Sequence, residues 1–384
     1  MSASTDHSTA VRQVRFRAPG QIELVTAAPS LPNKDEVVVA PLAVGVCGTD
    51  SHIIAGSFPA VPNVVLGHEV CGRVMEVGSN VPQVQMGDLV TVEPHRYCTW
   101  CPYCRNGQEH LCENKRGYGV HLDGGMTDRM VVPARIAYRL PEDTPPWVGA
   151  LTEPLACCVH GMDRLGAQSG QPLLVMGAGP AGLMLVTLAR LQGLSPIAVL
   201  EPSPERRRTA LILGADIAAD PLDPTTAEQL DDLTDGRGFP FVVDAVGSGA
   251  LLEQAVANAS RGGTVLVFGV SRPDDVAKIS PYELFSRELS LVSAVINPWT
   301  HQRAVALLPR LGLDRLRPVF CPLDQVEEAV RAQRDGVGDK VIVVPAGEAA
   351  ARGVTRARPV GGVTPNDALG YPSRLRDTTL ESKD

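Results

Sequence analysis

The fold of this chain is decided by the stretch Leu173-Leu-Val-Met-Gly177-Ala-Gly179-Pro-Ala-Gly182. Four apolar residues are followed directly by the spacing G-x-G-x-x-G, and a helical pattern over residues 183–192 then ends at Gly193. Glycines at these places permit a tight turn and the close approach of a pyrophosphate, whose charge then lies at a helix N-terminus. The stretch predicts a doubly wound parallel α/β sheet with a dinucleotide site at Gly177, Gly179, Pro180 and Gly182.

The next predicted strand supplies the residue that distinguishes the two nicotinamide dinucleotides. Ile197–Leu200 is followed by Glu201, 19 residues past Gly182. A carboxylate there accepts hydrogen bonds from the adenosine ribose hydroxyls and repels a 2′-phosphate, so NAD is favoured over NADP. A nearby arginine can host that phosphate, which makes Arg206 a further candidate cofactor residue. The alternative is that the arginines at 206–208 form a solvated face of the following helix.

Hydrophobic periodicity divides the rest of the chain into two kinds of structure. After residue 172, apolar strands alternate with helical segments, which predicts a parallel sheet. These strands are Leu173–Met176, Ile197–Leu200, 241–244, 264–268 and 289–296. Before residue 133, short β-like runs separated by Gly, Pro, Asn and Asp predict a barrel-like β unit. These runs are 36–40, 64–66, Leu89–Val92 and 130–132.

The predicted domain boundaries follow from this division. Residues 1–157 form the barrel-like unit, and residues 158–296 form the dinucleotide-binding domain. Residues 297–346 return to the first unit through a helical stretch at 302–311, an amphipathic helix at 325–334 and a strand at Lys340–Val344. Residues 347–384 are rich in Gly, Pro, Arg and Thr without an apolar period, which predicts a flexible C-terminal tail.

Composition and charge exclude several classes of protein. Hydrophobic residues make up 44% of the chain and charged residues 20%, so the chain is globular rather than disordered. Lys and Arg number 35 against 43 Asp and Glu, a net charge of −8, which argues against nucleic acid as a partner. Residues 1–10 lack a secretory pattern, which predicts a cytoplasmic protein. The apolar run 172–189 is interrupted by glycines and Pro180, so no membrane span is expected.

Four cysteines lie together in one short loop. Cys98, Cys101, Cys104 and Cys112 have the spacing C-x2-C-x2-C-x7-C, with the loop formers Pro, Asn and Gly between them. A loop with four thiolates wraps one tetrahedral Zn²⁺ with all positions filled, so it holds shape and performs no chemistry. A reduced cluster without metal or an iron–sulfur site are the alternatives.

A second set of metal-ligand types lies outside that loop. Cys47 opens the segment Cys47-Gly-Thr-Asp-Ser-His52, His68 and Glu69 follow Gly67, and Glu153 precedes Pro-Leu. Taken singly, a cysteine is most often a small buried hydrophobe and a histidine often a satisfied core residue. Together they supply a thiolate, an imidazole and carboxylates, which is a set that holds zinc with one position open for substrate.

These segments resemble a known family. The pattern Gly67-His-Glu-x2-Gly72-x5-Gly78-x2-Val81, the Cys47 segment, the four-cysteine loop and the glycine turn stand in the order found in zinc-containing alcohol dehydrogenases, and the resemblance covers residues 11–345. It implies a medium-chain dehydrogenase/reductase, with a GroES-like β-barrel catalytic domain, a Rossmann domain, NAD and two zinc ions per chain. Cys47, His68 and a carboxylate would hold the catalytic zinc.

Within that family, the chain resembles the sorbitol and threonine dehydrogenase branch. Thr152-Glu153-Pro154 stands where liver-type alcohol dehydrogenases have a second cysteine ligand, which makes Glu69 and Glu153 alternative or exchanging ligands and leaves Cys157 and Cys158 as packing residues. By the same resemblance, Thr49 and His52 relay the substrate proton to solvent. Asp50 orients the metal-binding histidine.

The implied reaction interconverts a secondary alcohol and its ketone by hydride transfer. The branch indicates a polyol, a sugar alcohol with or without phosphate, or a cyclitol. A threonine-type amino-alcohol dehydrogenase is the alternative within enzymes, because Gly119-Val-His-Leu-Asp-Gly-Gly125 resembles that group. A non-catalytic NAD-binding protein is the alternative outside them. Pairing of strand 289–296 with its mate across a twofold axis implies a homodimer or homotetramer.

Overall fold

The structure, a computed structural model, describes residues 10–353. The strands are β1 (Val11–Ala18), β2 (Gln21–Ala27), β3 (Glu36–Gly45), β4 (Glu69–Val77), β5 (Leu89–Val92), β6 (His95–Arg96), β7 (Arg116–Gly117), β8 (Met130–Pro133), β9 (Ala137–Arg139), β10 (Leu173–Met176), β11 (Ile197–Leu200), β12 (Ile217–Ala219), β13 (Phe239–Asp244), β14 (Ala259–Val267), β15 (Ser290–Ser293), β16 (Pro318–Pro322) and β17 (Lys340–Val344).

The α-helices are α1 (Gly48–Ile54), α2 (Pro102–Arg105), α3 (Pro146–Gly149), α4 (Thr152–Leu165), α5 (Pro180–Gln192), α6 (Pro204–Ile212), α7 (Thr226–Asp232), α8 (Gly249–Asn258), α9 (Pro281–Arg287), α10 (His301–Leu307), α11 (Val326–Arg334) and α12 (Glu348–Ala351). Short 3₁₀ turns lie at Glu109–Leu111, Ala134–Ile136, Leu308–Arg310, Leu313–Arg315 and Leu323–Gln325. Within residues 10–353, no helix combines the length and the apolar character that crossing a bilayer requires.

The second half of the chain forms a six-stranded parallel sheet. Its strand order is β12-β11-β10-β13-β14-β15, and every pairing is parallel. All residues of β10 and β11 are buried, as expected for strands that helices cover on both faces. The chain adds β11 and β12 on one side of β10 and then β13, β14 and β15 on the other side, so the strand order reverses at β10. Such a point opens the crevice in which doubly wound sheets bind ligands.

The first half forms a barrel-like sheet, to which the later strands β16 and β17 are added. Its order is β16-β17-β3-β4-β5-β9, with β8 pairing with β3. Strand β17 pairs with β3 through Ile342 and Gly45, so the chain returns to its first sheet after the parallel one. A buried apolar cluster that includes Leu155 of α4, Leu173 of β10 and Ile342 of β17 joins the two sheets. The predicted fold class is therefore confirmed.

Several predicted elements differ from the observed ones. Residues 64–66 are not a strand, because their backbone bonds to Phe16 and Met126 with only an isolated bridge at Val65. The helix predicted at 302–311 ends as an α-helix at Leu307, because Pro309 has no N–H with which to continue it.

The first residues of the predicted tail form a short helix. Ala351 of helix α12 is fully buried, and the Arg352 guanidinium lies 4.4 Å from the centre of the Phe320 ring. Ala351 and Arg352 therefore pack against the molecule, and the rest of the predicted tail, 354–384, lies outside the described residues. The boundaries at residues 157 and 296 stay predictions.

Candidate active site

The four-cysteine loop folds into one compact cluster. The sulfur atoms of Cys98, Cys101, Cys104 and Cys112 all lie within 4.8 Å of one another, and all four residues are buried. The turn is held by backbone amides, since the N–H of Cys101 donates to Cys98 Sγ at 3.4 Å and that of Cys98 donates to Cys112 Sγ at 3.3 Å. Although burial opposes it, such backbone hydrogen bonds lower the pKa of the Cys98 thiol to about 6. Four close sulfurs, with at least one readily ionised, fit a closed tetrahedral zinc.

The second set is built where strand β3 passes into helix α1. Cys47 is the N-cap of α1, and the Asp50 carboxylate accepts a hydrogen bond from the Cys47 backbone N–H at 2.9 Å. An acidic residue in this first turn stabilises the helix N-terminus, so the local fold of the segment follows from its sequence. The Cys47 thiol points at the Thr49 hydroxyl, with 3.7 Å between Sγ and Oγ1.

His68 and Glu69 reach the same place from the start of strand β4. The ligand atoms of Cys47, His68 and Glu69 all lie within 4.8 Å of one another. His68 Nδ1 and Asp50 Oδ1 are 3.7 Å apart, and both atoms are buried without a hydrogen-bond partner. A sulfur, a nitrogen and a carboxylate in one place, beside unsatisfied buried atoms, fit an open zinc site with Asp50 behind the histidine.

The two predicted carboxylate ligands have different surroundings. Lys340 Nζ lies 2.5 Å from Glu69 Oε2, with both side chains almost fully buried. A Cβ at Gly45 would overlap that same oxygen, so the glycine makes room for the carboxylate. Glu153 accepts a hydrogen bond from the Cys157 thiol at 3.6 Å and does not join the group of three close ligand atoms. Burial, helped by the negative charge of Glu69, raises the pKa of Glu153 to about 7.

The predicted proton relay is only partly visible among the described contacts. The Thr49 hydroxyl lies beside Cys47, as noted above, and His52 lies in the last turn of α1. His52 Nδ1 is hydrogen-bonded to the Ser57 hydroxyl at 3.1 Å, and no described hydrogen bond joins Thr49 to His52. Ser57 is a partner that the sequence analysis missed. The relay through Thr49 and His52 stays a prediction.

Sequence reasoning also missed the far wall of the site. Asn297 is fully buried, its Nδ2 donates to Cys157 Sγ at 3.9 Å, and its Oδ1 is buried without a partner. Cys157 therefore contacts Asn297 and Glu153 at the site rather than serving only in packing. Cys158 instead donates to the carbonyl of Ala181. A signal for Lys340 was present, because a lysine opens the otherwise apolar strand β17.

The glycine turn has the geometry that a dinucleotide site requires. Gly177 has φ of 97°, in the left-handed region. A Cβ at Gly182 would overlap the Gly177 carbonyl oxygen, so the third glycine permits the start of helix α5 to pack against the turn. Gly179 caps that helix, and Pro180 is its first residue.

Glu201 lies directly beside this turn. Only 5% of the residue is exposed, and its two carboxylate oxygens accept hydrogen bonds from the backbone N–H groups of Ala178 at 2.8 Å and Ser203 at 2.9 Å. Arg206 lies on helix α6, as predicted for the three arginines, but its guanidinium donates to the Gly336 carbonyl at 3.2 Å. The structure therefore brings Glu201, and not the Arg206 guanidinium, to the glycine turn.

Two family profiles match the chain. An alcohol dehydrogenase GroES-like domain matches residues 33–142, and a zinc-binding dehydrogenase domain matches residues 180–311. The L-threonine 3-dehydrogenase of Thermococcus kodakarensis is 33% identical over 332 residues, which cover 84% of this chain and 94% of that protein. The D-arabitol-phosphate dehydrogenase of Enterococcus avium is 30% identical over 346 residues, which cover 88% of this chain and 98% of that protein.

A solved structure has the same arrangement of domains. A zinc-binding dehydrogenase of Sinorhizobium meliloti, solved with NADP bound, superposes with a TM-score of 0.83 and 33% sequence identity. The match covers 88% of this chain and 100% of that one. The likeness therefore includes both the barrel-like sheet and the parallel sheet.

Proposed function

Because this chain belongs to the zinc-dependent medium-chain dehydrogenase/reductase family and is a dehydrogenase, we propose that it uses NAD to interconvert a secondary alcohol and a ketone. The proposed substrate is a polyol, a sugar alcohol with or without phosphate, or a cyclitol. The observation that carries the proposal is the convergence of Cys47, His68 and Glu69, whose ligand atoms lie within 4.8 Å of one another.

The proposed metal site assigns a role to each of its residues. Cys47, His68 and one of the two carboxylates, Glu69 or Glu153, would hold a zinc ion, which supplies Lewis acidity that lowers the pKa of an alcohol. Asp50 lies behind His68, where a carboxylate fixes the orientation of a ligating imidazole. The site is thereby held in one geometry before substrate binds.

The remaining proposed roles concern the proton and the cofactor. The Thr49 hydroxyl, beside the metal ligands, would pass the alcohol proton towards His52 at the end of α1. The glycine turn and the start of α5 would bind the pyrophosphate of the cofactor. Glu201 would accept the ribose hydroxyls of NAD, since each carboxylate oxygen holds a further lone pair beyond its backbone hydrogen bond.

The choice of NAD has its own test, because a similar structure holds NADP. We expect the wild type to prefer NAD by kcat/KM, and Glu201→Ala to narrow that preference by removing both the ribose acceptor and the repulsive charge. Arg206→Ala is the matched control, and it should leave the preference unchanged because its guanidinium bonds Gly336. Equal efficiency of the unmutated enzyme with both cofactors would contradict this choice.

The similar enzymes support both the proposed substrate class and its alternative. One is named for arabitol phosphate, which is a phosphorylated sugar alcohol, and another for threonine, which is an amino alcohol that carries a carboxylate. Oxidation of threonine is therefore retained as the second candidate reaction. The non-catalytic alternative is not retained, because the chain is a dehydrogenase by family.

Assembly through the edge of the parallel sheet is part of the proposal. Strand β15 has no neighbour on its outer side within the described chain. Large apolar side chains are exposed around it, with Phe285 83% and Tyr282 76% exposed. An open edge beside such a surface fits a homodimer or homotetramer. Light scattering that gives the monomer mass at micromolar concentration would contradict it.

The cellular location is proposed from the thiols. All nine cysteines are free, and four of them form one tight cluster. Free thiols in this number fit a reducing compartment, which supports the cytoplasm.

The experiment that tests the proposed function is a substrate screen of the zinc-loaded enzyme. Linear polyols, their phosphates, cyclitols, threonine and simple alcohols are offered with NAD, and NADH formation is followed by absorbance. We expect turnover of at least one polyol, polyol phosphate or cyclitol, and its loss in His68→Ala. Turnover of threonine with none of these compounds would replace the proposal with the alternative.

A further inference from the structure

We infer that the substrate carries an anionic group, a carboxylate or a phosphate, near its reacting hydroxyl, and that Lys115 binds this group. The inference rests on the proposed function and narrows its substrate class. It is carried by Asn297, by His95, which interacts with Asn297, and by the nearby cation Lys115. None of them is among the proposed metal ligands.

Lys115 is a partly buried cation without a carboxylate partner. It follows the cysteine loop, three residues after Cys112, and its side chain folds back so that Nζ donates to the His110 carbonyl at 3.1 Å. Among residues 10–353, no Asp or Glu oxygen lies within ion-pairing distance of Nζ. Taking an ammonium group partly out of water costs free energy unless an anion compensates it.

The charge of Lys115 acts on the active site. After burial, it is the largest influence among those that lower the pKa of His95 to about 3. Cys157, which donates to Glu153, interacts electrostatically with the same ammonium group. The contacts agree with this placement, because Lys115 Nζ bonds the His110 carbonyl and the His110 ring lies 5.1 Å from the ring of His160 on α4, the helix that also carries Glu153 and Cys157.

The two other side chains are neutral and lie close enough to interact with each other, and each keeps one polar atom free. His95 Nδ1 and Asn297 Oδ1 are both buried without a hydrogen-bond partner. The low pKa of His95 keeps its ring uncharged at neutral pH. A neutral imidazole nitrogen and an amide oxygen suit the hydroxyl or amino groups of a substrate rather than its charge. The cation and the two neutral groups together match a molecule with several polar groups and one negative charge.

The loop that carries Asn297 adds an independent indication. Ile296 and Trp299 on either side of it have φ of 47° and 58°, in the left-handed region. A β-branched residue such as Ile296 is rarely found there, and such backbone strain concentrates at ligand-binding sites. The loop thus holds Asn297 in place at an energetic cost.

A purely structural role for Lys115 makes a different prediction. Its charge also interacts with Cys112, so it could simply offset the negative charge of the metal-bound cysteine loop. In that case, removing the charge would weaken zinc retention and stability, and it would affect charged and neutral substrates equally. In the proposed role, the loss would be confined to the charged substrates.

The test compares matched substrate pairs that differ only in the anionic group. One pair is a pentitol phosphate and the same pentitol, and the other is threonine and 1-aminopropan-2-ol, which lacks the carboxylate. The variants are Lys115→Met, Lys115→Arg, which keeps the charge, and Lys278→Met, which removes an exposed lysine elsewhere. Zinc content and the unfolding midpoint are measured for each variant.

We expect the wild type to prefer the charged member of at least one pair. Lys115→Met should lower kcat/KM for that member by about ten- to a hundredfold, the usual worth of a charge-assisted hydrogen bond, and change the neutral member by less than about twofold. Lys115→Arg should retain most of the preference, and Lys278→Met all of it. A loss of preference in the pentitol pair would identify the bound group as a phosphate, and a loss in the threonine pair would identify it as a carboxylate.

Two results would overturn the inference and leave the proposed function standing. One is equal wild-type efficiency within both pairs, and the other is an equal loss for charged and neutral members in Lys115→Met. Calorimetric binding of the same compounds to the NADH complex provides a readout apart from turnover. If none of the compounds is oxidised, the proposed function fails, while a binding preference for the charged members that Lys115→Met abolishes would still support the anion site.

Discussion

The cysteine loop and the open metal set are built in opposite ways. The loop takes four cysteine thiols from residues 98–112, so one short segment of the chain brings all the metal ligands together. The open set takes a thiol from the start of α1, an imidazole and a carboxylate from the start of β4, and a further carboxylate, Glu153, from α4. The first is a property of a local segment, and the second is a property of the whole fold.

The same contrast extends to the buried charges. In the loop, the thiols are surrounded by backbone amides that donate to them. In the open set, Glu69 needs Lys340 from strand β17, and Asp50 and His68 retain buried atoms without partners. Buried polar atoms without a partner are typical of a site where a bound metal or substrate supplies the missing partner. Removing a donor from one site should therefore have a different consequence from removing a donor at the other.

The largest expected effect is the loss of turnover at the open site. Cys47→Ser and His68→Ala should each lower kcat by about a thousandfold or more, because the Lewis acid is lost, while the unfolding midpoint changes little. Steady-state kinetics and thermal unfolding measure the two quantities. Cys321→Ser, at a buried cysteine outside both sets, is the control and should keep its turnover. If Cys47→Ser lowered the unfolding midpoint strongly and kept its turnover, the contrast between a catalytic open site and a structural cysteine loop would be wrong.

The second effect is the loss of stability at the closed site. Cys104→Ser or Cys112→Ser should lower the free energy of unfolding by about 3 kcal/mol or more, because binding of a structural metal is part of the folding free energy. Urea unfolding of the zinc-loaded protein measures it. Unchanged stability, together with lost turnover, would show that the loop belongs to the chemistry and not to the scaffold.

The sequence predicted the local features well and the long-range contacts poorly. The four-cysteine spacing, the glycine turn and Glu201 were visible because a short segment determines each of them. The contact between Glu69 and Lys340 joins residues 271 positions apart, and only the pairing of β17 with β3 brings them together. No periodicity of the sequence specifies that pairing.

The far wall of the site escaped prediction for a related reason. Asn297 belongs to no metal-ligand or glycine motif, and its position depends on a loop in which Ile296 and Trp299 adopt positive φ. His95 lies on the two-residue strand β6, which is too short to give a pattern. The shortened helix at 302–311 is a different case. Pro309 was visible in the sequence and indicates a helix end, but the prediction followed the helical periodicity instead.

The third effect tests the buried charge pair of the open site. In protein freed of zinc at the open site, Lys340→Met should cost about 3–5 kcal/mol of unfolding free energy, because it leaves the Glu69 carboxylate buried and unpaired. Arg331→Met is the control, since its pair with Glu328 is exposed and should contribute at most about 1 kcal/mol. Urea unfolding measures both. A cost for Lys340→Met as small as that of the control would mean that the open site does not depend on this distant strand.

The smallest effect concerns a buried polar cluster that reaches the residue next to the cysteine loop. His301 is fully buried, its Nε2 is 3.2 Å from the Thr91 hydroxyl, and its ring is 4.8 Å from that of Tyr138. Tyr138 in turn donates to Glu93, which also accepts from Tyr97, next to the cysteine loop. His301 therefore belongs to a chain of contacts that ends at Tyr97.

The pH dependence of His301 has a definite sign. Burial lowers the pKa of His301 to about 3 from an ordinary value near 6.5. Between these two values, the imidazole is protonated in the unfolded chain and neutral in the folded protein. Its contribution to stability should be constant above about pH 6.5 and fall by up to about 1.4 kcal/mol per pH unit below it. Urea unfolding at pH 7.5, 6.0 and 5.0 should show a shallower acid slope in His301→Gln. Parallel slopes for the two proteins would contradict this assignment.

The most direct test of two sites with separate roles is a zinc count by elemental analysis of protein that has not been dialysed. We expect two zinc ions per chain in the wild type. We expect one in Cys47→Ser, where the remaining ion belongs to the cysteine loop, and one in any folded fraction of Cys112→Ser. One zinc per chain in the wild type, or the loss of both ions when Cys47 alone is changed, would contradict it.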